Sequence, residues 1–353
     1  MEEQGDLKRI KVLVIDDSAI VRRILSEQLA QDDSIQVVGS APDPYVARDK
    51  IVRLRPDVLT LDLEMPRMDG LSFLKKLMAH YPMPVIILSS YTQRGCHNAL
   101  SAMDLGAIEV LSKPGDSFSV ADMGRELIEK IKIAAKVRLG RNQRQEKAEE
   151  RRQRKIEVNV KSTEKIIAIG ASTGGTQALK EIFTCLPPNS PGIVVVQHMP
   201  EVFTKAFAER LNQDCDVEVK EAEDGDTVQN GRILIAPGNY HMMLRRSGKR
   251  YYVQIRTGGQ VCYHRPSVEV LFRSVAKAAG TNAVGVLLTG MGYDGAHGLL
   301  DMKKAGAKTI AQDEKTSIVF GMPREAIELG AADKVLPLDK IAEEMLKMTQ
   351  MTP

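Results

Sequence analysis

The chain has 353 residues, enough for two or three domains, and its formal charge of +3 is too small for a dedicated nucleic-acid binder. Hydrophobic residues make up 43%, with no Trp, so ordinary cores built from Val, Ile, Leu and Met are expected. The acidic start Met1-Glu2-Glu3, the lack of any apolar run near the ~20 residues of a bilayer span, and cysteines at 96, 185, 215 and 262 without C-x-x-C spacing exclude secreted, membrane-inserted, fibrous and disulfide-framework classes and point to a reduced, cytoplasmic chain.

Taken in chain order, short aliphatic runs at 11–15 (KVLVI), 35–39 (IQVVG), 57–61 (DVLTL), 84–89 (PVIILS) and 108–111 (IEVL) are predicted strands. Stretches at helical spacing lie between them, for example Ile20, Ile24, Leu25 and Leu29. Five strands alternating with five helices predict a doubly wound parallel sheet, because parallel neighbours need crossover connections. Residues 136–155 then carry nine basic and three acidic side chains, a net +6. The stretch 138–161 has almost no buriable surface and reads as a solvated linker, with a docking site for an acidic partner as the alternative. Beyond it, 165–170, 192–197, 232–237, 283–288 and 308–312 repeat the strand rhythm, and Tyr240 to Tyr263 is predicted as appended antiparallel strands. The expected fold class is α/β, with two doubly wound parallel-sheet domains whose loops carry different chemistry.

In an open parallel sheet, function gathers at the carboxyl ends of the strands. In the first domain those ends read Asp16-Asp17, Asp62, Ser89-Ser90 and Lys113-Pro114. Three carboxylates at one edge repel each other unless a hard cation such as Mg²⁺ joins them. A carboxylate beside that ion can accept a phosphoryl group, with Lys113 and the Ser89 hydroxyl holding its oxygens. Singly, each residue has a plainer reading; Asp17 or Ser18 could simply cap the following helix. Together, in chain order, they resemble the receiver domain of bacterial response regulators over residues 7–130. The resemblance implies a flavodoxin-like fold, Asp62 as phosphoacceptor, Asp16, Asp17, Asp62 and the Glu64 carbonyl as Mg²⁺ ligands, and Ser89 and Lys113 as phosphoryl sensors. It also implies a cis bond before Pro114 and a chemotaxis histidine kinase as phosphodonor. One departure is Val110, which stands where such domains often carry an aromatic switch residue.

The second domain opens with Gly170-Ala-Ser172-Thr-Gly174-Gly175, a glycine turn after a predicted strand. As a dinucleotide fingerprint it needs an acidic residue at the end of the next strand, but Gln197-His198 stands there. As G-x-S-x-G it is a nucleophile elbow, and His198 is the candidate base that Ser172 requires. Asp294, in the glycine-rich loop Thr289-Gly-Met-Gly-Tyr-Asp-Gly295, is either a helix cap or the acid that orients the imidazole. The backbone amides of Met291 and Gly292 are candidates for an oxyanion loop. His264 is the rival base, or lines a groove, or caps a helix near Ser267; His241 and His297 read as surface or loop residues. The residues alone thus give a candidate serine hydrolase.

The runs GASTGG, VVVQHMP, IAPGNYH, HRPSVEVLF, LLTGMGYDGA and AQDEKTSIVFGMPREAI resemble the catalytic domain of the chemotaxis protein-glutamate methylesterases. The resemblance implies a Rossmann-like three-layer αβα fold and the triad Ser172, His198 and Asp294. It implies hydrolysis of glutamate γ-methyl esters on methyl-accepting chemotaxis receptors with release of methanol, deamidation of particular receptor glutamines, and no cofactor for the ester reaction. The expected layout is a receiver at 7–130, a charged linker at 131–163 and a catalytic domain at 164–350, with the unphosphorylated receiver restricting access to the cleft. A signalling adaptor without turnover and a general serine esterase are the contrasting readings.

Overall fold

The computed structural model describes residues 9–90, 92–113, 120–137 and 164–350. It divides into two compact units, Met1–Arg141 and Asn142–Pro353. The expected linker at 138–161 and the bond before Pro114 lie outside the described residues.

The first unit alternates strand and helix: β1 (Ile10–Ile15), α1 (Ala19–Leu29), β2 (Ile35–Ala41), α2 (Pro44–Leu54), β3 (Val58–Asp62), α3 (Gly70–His80), β4 (Val85–Ser89), α4 (Gln93–Asp104), β5 (Glu109–Ser112) and α5 (Val120–Ala134). The strands form one parallel sheet in the order β2-β1-β3-β4-β5. This is the flavodoxin-like order, with its switch point between β1 and β3. β3 and β4 are buried along their whole length, as central strands covered on both faces must be. One core packs Val12, Val14, Ile86 and Leu88 of the sheet against Leu25 and Leu29 of α1 and Leu127 and Ile131 of α5. Ile20, counted with the apolar stripe in the sequence, is 71% exposed. α1 is capped by Ser18, whose hydroxyl accepts from the Val21 amide, so the plain capping reading holds for Ser18 rather than Asp17.

The second unit runs β6 (Ile166–Ala171), α6 (Gly175–Phe183), β7 (Ile193–Gln197), α7 (Glu201–Asp214), β8 (Glu218–Glu221), β9 (Thr227–Val228), β10 (Arg232–Ile235), β11 (His241–Ser247), β12 (Arg250–Arg256), α8 (Val268–Ala278), β13 (Ala283–Leu287), α9 (Ala296–Lys304), β14 (Lys308–Gln312), α10 (Met322–Glu328), β15 (Lys334–Leu336) and α11 (Leu338–Gln350). Seven strands form a parallel sheet in the order β15-β14-β13-β6-β7-β10-β8. β11 and β12 form the expected antiparallel pair, extended by β9. The chain leaves β6 in one direction toward β7, β10 and β8, then returns on its other side through β13, β14 and β15. That reversal opens a crevice beyond the carboxyl ends of β6, β7 and β13. Ser172, His198 and the 289–295 loop follow those three strands. No helix among the described residues is long and apolar enough to cross a membrane.

Candidate functional site

In the first unit the ends of β1, β3 and β5 meet. One carboxylate oxygen from each of Asp16, Asp17 and Asp62 lies within 4.8 Å of the others. Lys113 Nζ is 2.8 Å from Asp16 Oδ2 and 2.7 Å from Asp62 Oδ2. Burial pushes the Asp62 carboxyl above its ordinary range, although the Lys113 ammonium opposes the shift. Burial alone would lower Lys113, but its bonds to the two carboxylates outweigh it and hold the ammonium charged. The Glu64 amide donates to Asp62 Oδ1 (3.2 Å), and the Glu64 side chain accepts from Ser90 (3.3 Å). The Ser89 hydroxyl donates to the Gly95 carbonyl (3.0 Å). A cluster of hard carboxylate oxygens at this spacing suits a small divalent cation.

In the second unit the register of β6 and β7 ends at Ala171 and Gln197, and the His198 amide closes the ladder on the Ala171 carbonyl (3.1 Å). Ser172 and His198 therefore leave adjacent strand ends. Past Ser172 the chain turns through Gly174 at φ +78°, a left-handed conformation that favours glycine, and enters α6. Ser172 is 4% exposed. Its amide donates to the Thr289 carbonyl (3.0 Å), and its carbonyl accepts from the Gly175 amide (2.7 Å).

His198 Nε2 is 2.7 Å from Asp294 Oδ2. An imidazole that donates from Nε2 keeps its lone pair on Nδ1. His198 Nδ1 is buried and has no hydrogen-bond partner among the described residues. Asp294 is also a cap, but for a helix other than the one that follows it: its oxygens accept from the Ser267 hydroxyl (2.8 Å) and from the Val268 and Glu269 amides (2.8 and 2.9 Å) at the start of α8. α9, directly after Asp294, has Gly295 at its N-cap position, a residue with no side chain to cap it. Burial pushes the Asp294 carboxyl up, yet the bonds from His198, the Glu269 amide and Ser267 bring it below its ordinary range. Asp294 thus contacts the imidazole of His198 and caps α8 at once, a helix other than the one its loop leads into.

His264 lies flat against His198, ring centroids 3.6 Å apart and planes 18° from parallel. His241 is buried rather than a surface residue. Its Nε2 donates to the Gly259 carbonyl (2.8 Å), and its Nδ1 accepts from the Ser267 amide (3.3 Å), which tethers the segment carrying His264. His297 is exposed, as expected. Cys262, beside Asp294, is no rival nucleophile: burial, then Asp294 and Glu269, push its thiol up to about 11. Met291 is 44% exposed and Gly292 has φ +79°, in a loop tied down where the Gly290 carbonyl accepts from the Gly321 and Met322 amides (3.0 and 2.8 Å).

The roles of two buried side-chain amides went unread in the sequence. Gln197 Nε2 donates to the carbonyls of Ser172 (2.9 Å) and His198 (3.1 Å). Gln312 Oε1 accepts from the amide of Thr289, the residue that holds the Ser172 amide (2.8 Å). Each glutamine is the last residue of its strand, a position that could have flagged both.

Comparison with known proteins matches residues 167–345 to the CheB methylesterase family and residues 12–123 to the response regulator receiver domain. A protein-glutamate methylesterase/protein-glutamine glutaminase of Syntrophus aciditrophicus is 60% identical over 342 residues, covering 97% of this chain and all of the relative. The chain belongs to the CheB methylesterase family. A protein of the same description from Sulfurimonas denitrificans is 52% identical, over 94% of this chain and 96% of its own length. Among solved structures, the Thermotoga maritima CheB methylesterase catalytic domain aligns with 42% identity and a TM-score of 0.51, covering 52% of this chain and 98% of that one. The receiver and the methylesterase domain are thus joined in one chain of α/β architecture, as expected.

Proposed function

We propose that this chain is a phosphorylation-controlled protein-glutamate methylesterase that also deamidates glutamine, acting on methyl-accepting chemotaxis receptors in the cytoplasm. The observation that carries the ester chemistry is the His198–Asp294 contact, because it leaves Nδ1 as the basic atom at the strand end beside Ser172. Ser172 attacks the ester carbonyl as His198 Nδ1 takes its proton, and Asp294 holds the imidazole tautomer and balances its charge. The amides of Met291 and Gly292 receive the oxyanion. His198 returns the proton to the departing methoxide, methanol leaves, and water clears the acyl-serine by the reverse path. For a glutamine side chain the leaving group is ammonia. Neither route calls on a cofactor.

In the receiver, Asp62 accepts a phosphoryl group from a chemotaxis histidine kinase, and Lys113 and Ser89 bind its oxygens. Mg²⁺ would be held by Asp16, Asp17, Asp62 and the Glu64 carbonyl, and would neutralise the charge of the incoming phosphoryl oxygens. The proposed layout is a receiver from 7 through the end of α5 at Ala134, whose Ile131 packs in its core, then the linker to 163 and the catalytic domain at 164–350.

The test is methanol release from methyl-esterified receptor. Ser172→Ala and His198→Ala should each lower the rate by about 10⁴-fold, the usual cost of a lost triad member. His264→Ala serves as the control. Full activity of Ser172→Ala would move the nucleophile elsewhere, and His264→Ala as damaging as His198→Ala would reopen the choice of base.

A further inference from the structure

Beyond Ala171 and Gln197 the pairing of β6 and β7 ends and the two chains diverge, Ser172 into the elbow and His198 toward α7. Backbone pairing between the two strands supplies nothing past the His198 amide to fix Ser172 relative to His198. Gln197 bridges that gap. It is 2% exposed, and one amide nitrogen directs its two protons to the two carbonyls that matter, Ser172 at 2.9 Å and His198 at 3.1 Å.

The other half of the amide is as closely defined. Gln197 Oε1 is buried with no hydrogen-bond partner among the described residues, and a Cβ on Gly175 would stand 2.1 Å from it. Gly175 is the first residue of α6, so Oε1 lies against the positive end of that helix. An amide turned the other way would aim its donors at a helix N-terminus and its oxygen at two carbonyls. The local field therefore fixes which end faces the catalytic pair, and Gly175 leaves room for it. An amide also carries its two donors at every working pH, which neither a carboxylate nor an imidazole does.

We propose that Gln197 is a positioning residue for ester hydrolysis, aligning the Ser172 hydroxyl with His198 Nδ1 through their backbones. The inference rests on the esterase reading above. The nucleophile and base need alignment to a fraction of an ångström, and small misplacements from outside the reacting atoms are costly.

The experiment measures kcat and KM for methanol release from methylated receptor with the full-length chain, comparing wild type, Gln197→Leu and Gln197→Met. Leu and Met approximate the volume and carry no donor; circular dichroism establishes that each variant is folded. The expected result is a fall in kcat of at least 30-fold with KM within twofold of wild type. A folded variant with kcat within threefold of wild type overturns the proposal, as does a loss confined to KM. Failure of both variants to fold also overturns it, in favour of a role in the strand end alone. Ser172→Ala, run alongside wild type, separates the outcomes: methanol release that ignores Ser172 defeats the esterase reading, whereas a Gln197-independent kcat with intact Ser172 dependence defeats only this one.

Discussion

Donors converge on the carboxylate of Asp294 from His198, the Ser267 hydroxyl, and the amides of Val268 and Glu269. Its loss should therefore be felt twice. Asp294→Ala should lower activity as a triad variant does and also destabilise the domain by about 1–3 kcal/mol, the range for a lost helix cap with buried donors left unpaired. Ser172→Ala removes no cap and should melt close to wild type; equal melting temperatures for both variants would show that the cap contributes nothing. The pH dependence follows from the depressed carboxyl of Asp294. A folded-state pKa below the unfolded one adds stability that is complete above the unfolded value, about 3.9, and is lost as pH falls through the folded one. The melting-temperature gap between wild type and Asp294→Asn should narrow as pH falls below about 4, where the carboxylate takes up its proton. At the other site, Asp62→Asn should abolish labelling by acetyl phosphate with Mg²⁺, because an amide is a poor nucleophile. Its basal methanol release should persist, since Asp62 lies outside the Ser172 unit. Labelling of Asp62→Asn at the wild-type rate would remove it as phosphoacceptor.

Between elements, the same capping runs in both directions. Asp294, just before α9, caps α8, while Glu269 in the first turn of α8 accepts from the Gly298 amide in the first turn of α9 (2.8 Å). Glu269 is also paired with Arg273, one helical turn on. This reciprocal contact fixes the loop that presents Asp294 to His198. Glu269→Ala should reduce both melting temperature and kcat, whereas Glu269→Gln keeps an acceptor oxygen and should do less harm; equal damage would make charge, not capping, the operative feature. Little of this was legible in the sequence, because the partners are 25 to 29 residues apart and a cap looks the same whichever helix it serves. The parallel strands were legible because burial on both faces leaves unbroken aliphatic runs, as in IVVVQ of β7 and AVGVL of β13. The strands that escaped are β8 (EVKE) and β15 (KVL) at the sheet edges, and the two-residue β9, where half-exposed or very short segments carry no such run. Ser172 and His198 were visible as a candidate nucleophile and a candidate base at strand ends. Gln197 was not, since an amide neither titrates nor attacks, and His241 was misplaced because a histidine that ties backbone together looks like any loop polar residue.

At the scale of the whole molecule, two parallel sheets each place their chemistry at the carboxyl ends of their strands, yet only one performs the ester hydrolysis. If the receiver controls that hydrolysis, it does so by changing which states of the catalytic domain are populated. A phosphoryl group on Asp62 can shift that balance only by the difference in free energy it makes between restrained and active states. Moving from 1:99 to 99:1 requires roughly 5.5 kcal/mol, and a tenfold activation only about 1.4 kcal/mol. Lys113, bound to Asp16 and Asp62, and Ser89, turned to Gly95, would exchange these partners for phosphoryl oxygens on the proposed reading. Val110, half-buried on β5 where an aromatic switch is usual, has too little surface to carry that change as a rotating ring would. The expected route is the backbone at Ser89 and Lys113 themselves. If the receiver restrains the enzyme, a fragment of residues 161–353 should release methanol faster than the unphosphorylated full-length chain, and phosphorylation of the full chain should recover at least the fragment's rate. Equal initial rates for the fragment and the unphosphorylated chain would exclude restraint. A fragment slower than both full-length forms would instead show that the receiver activates the catalytic domain directly.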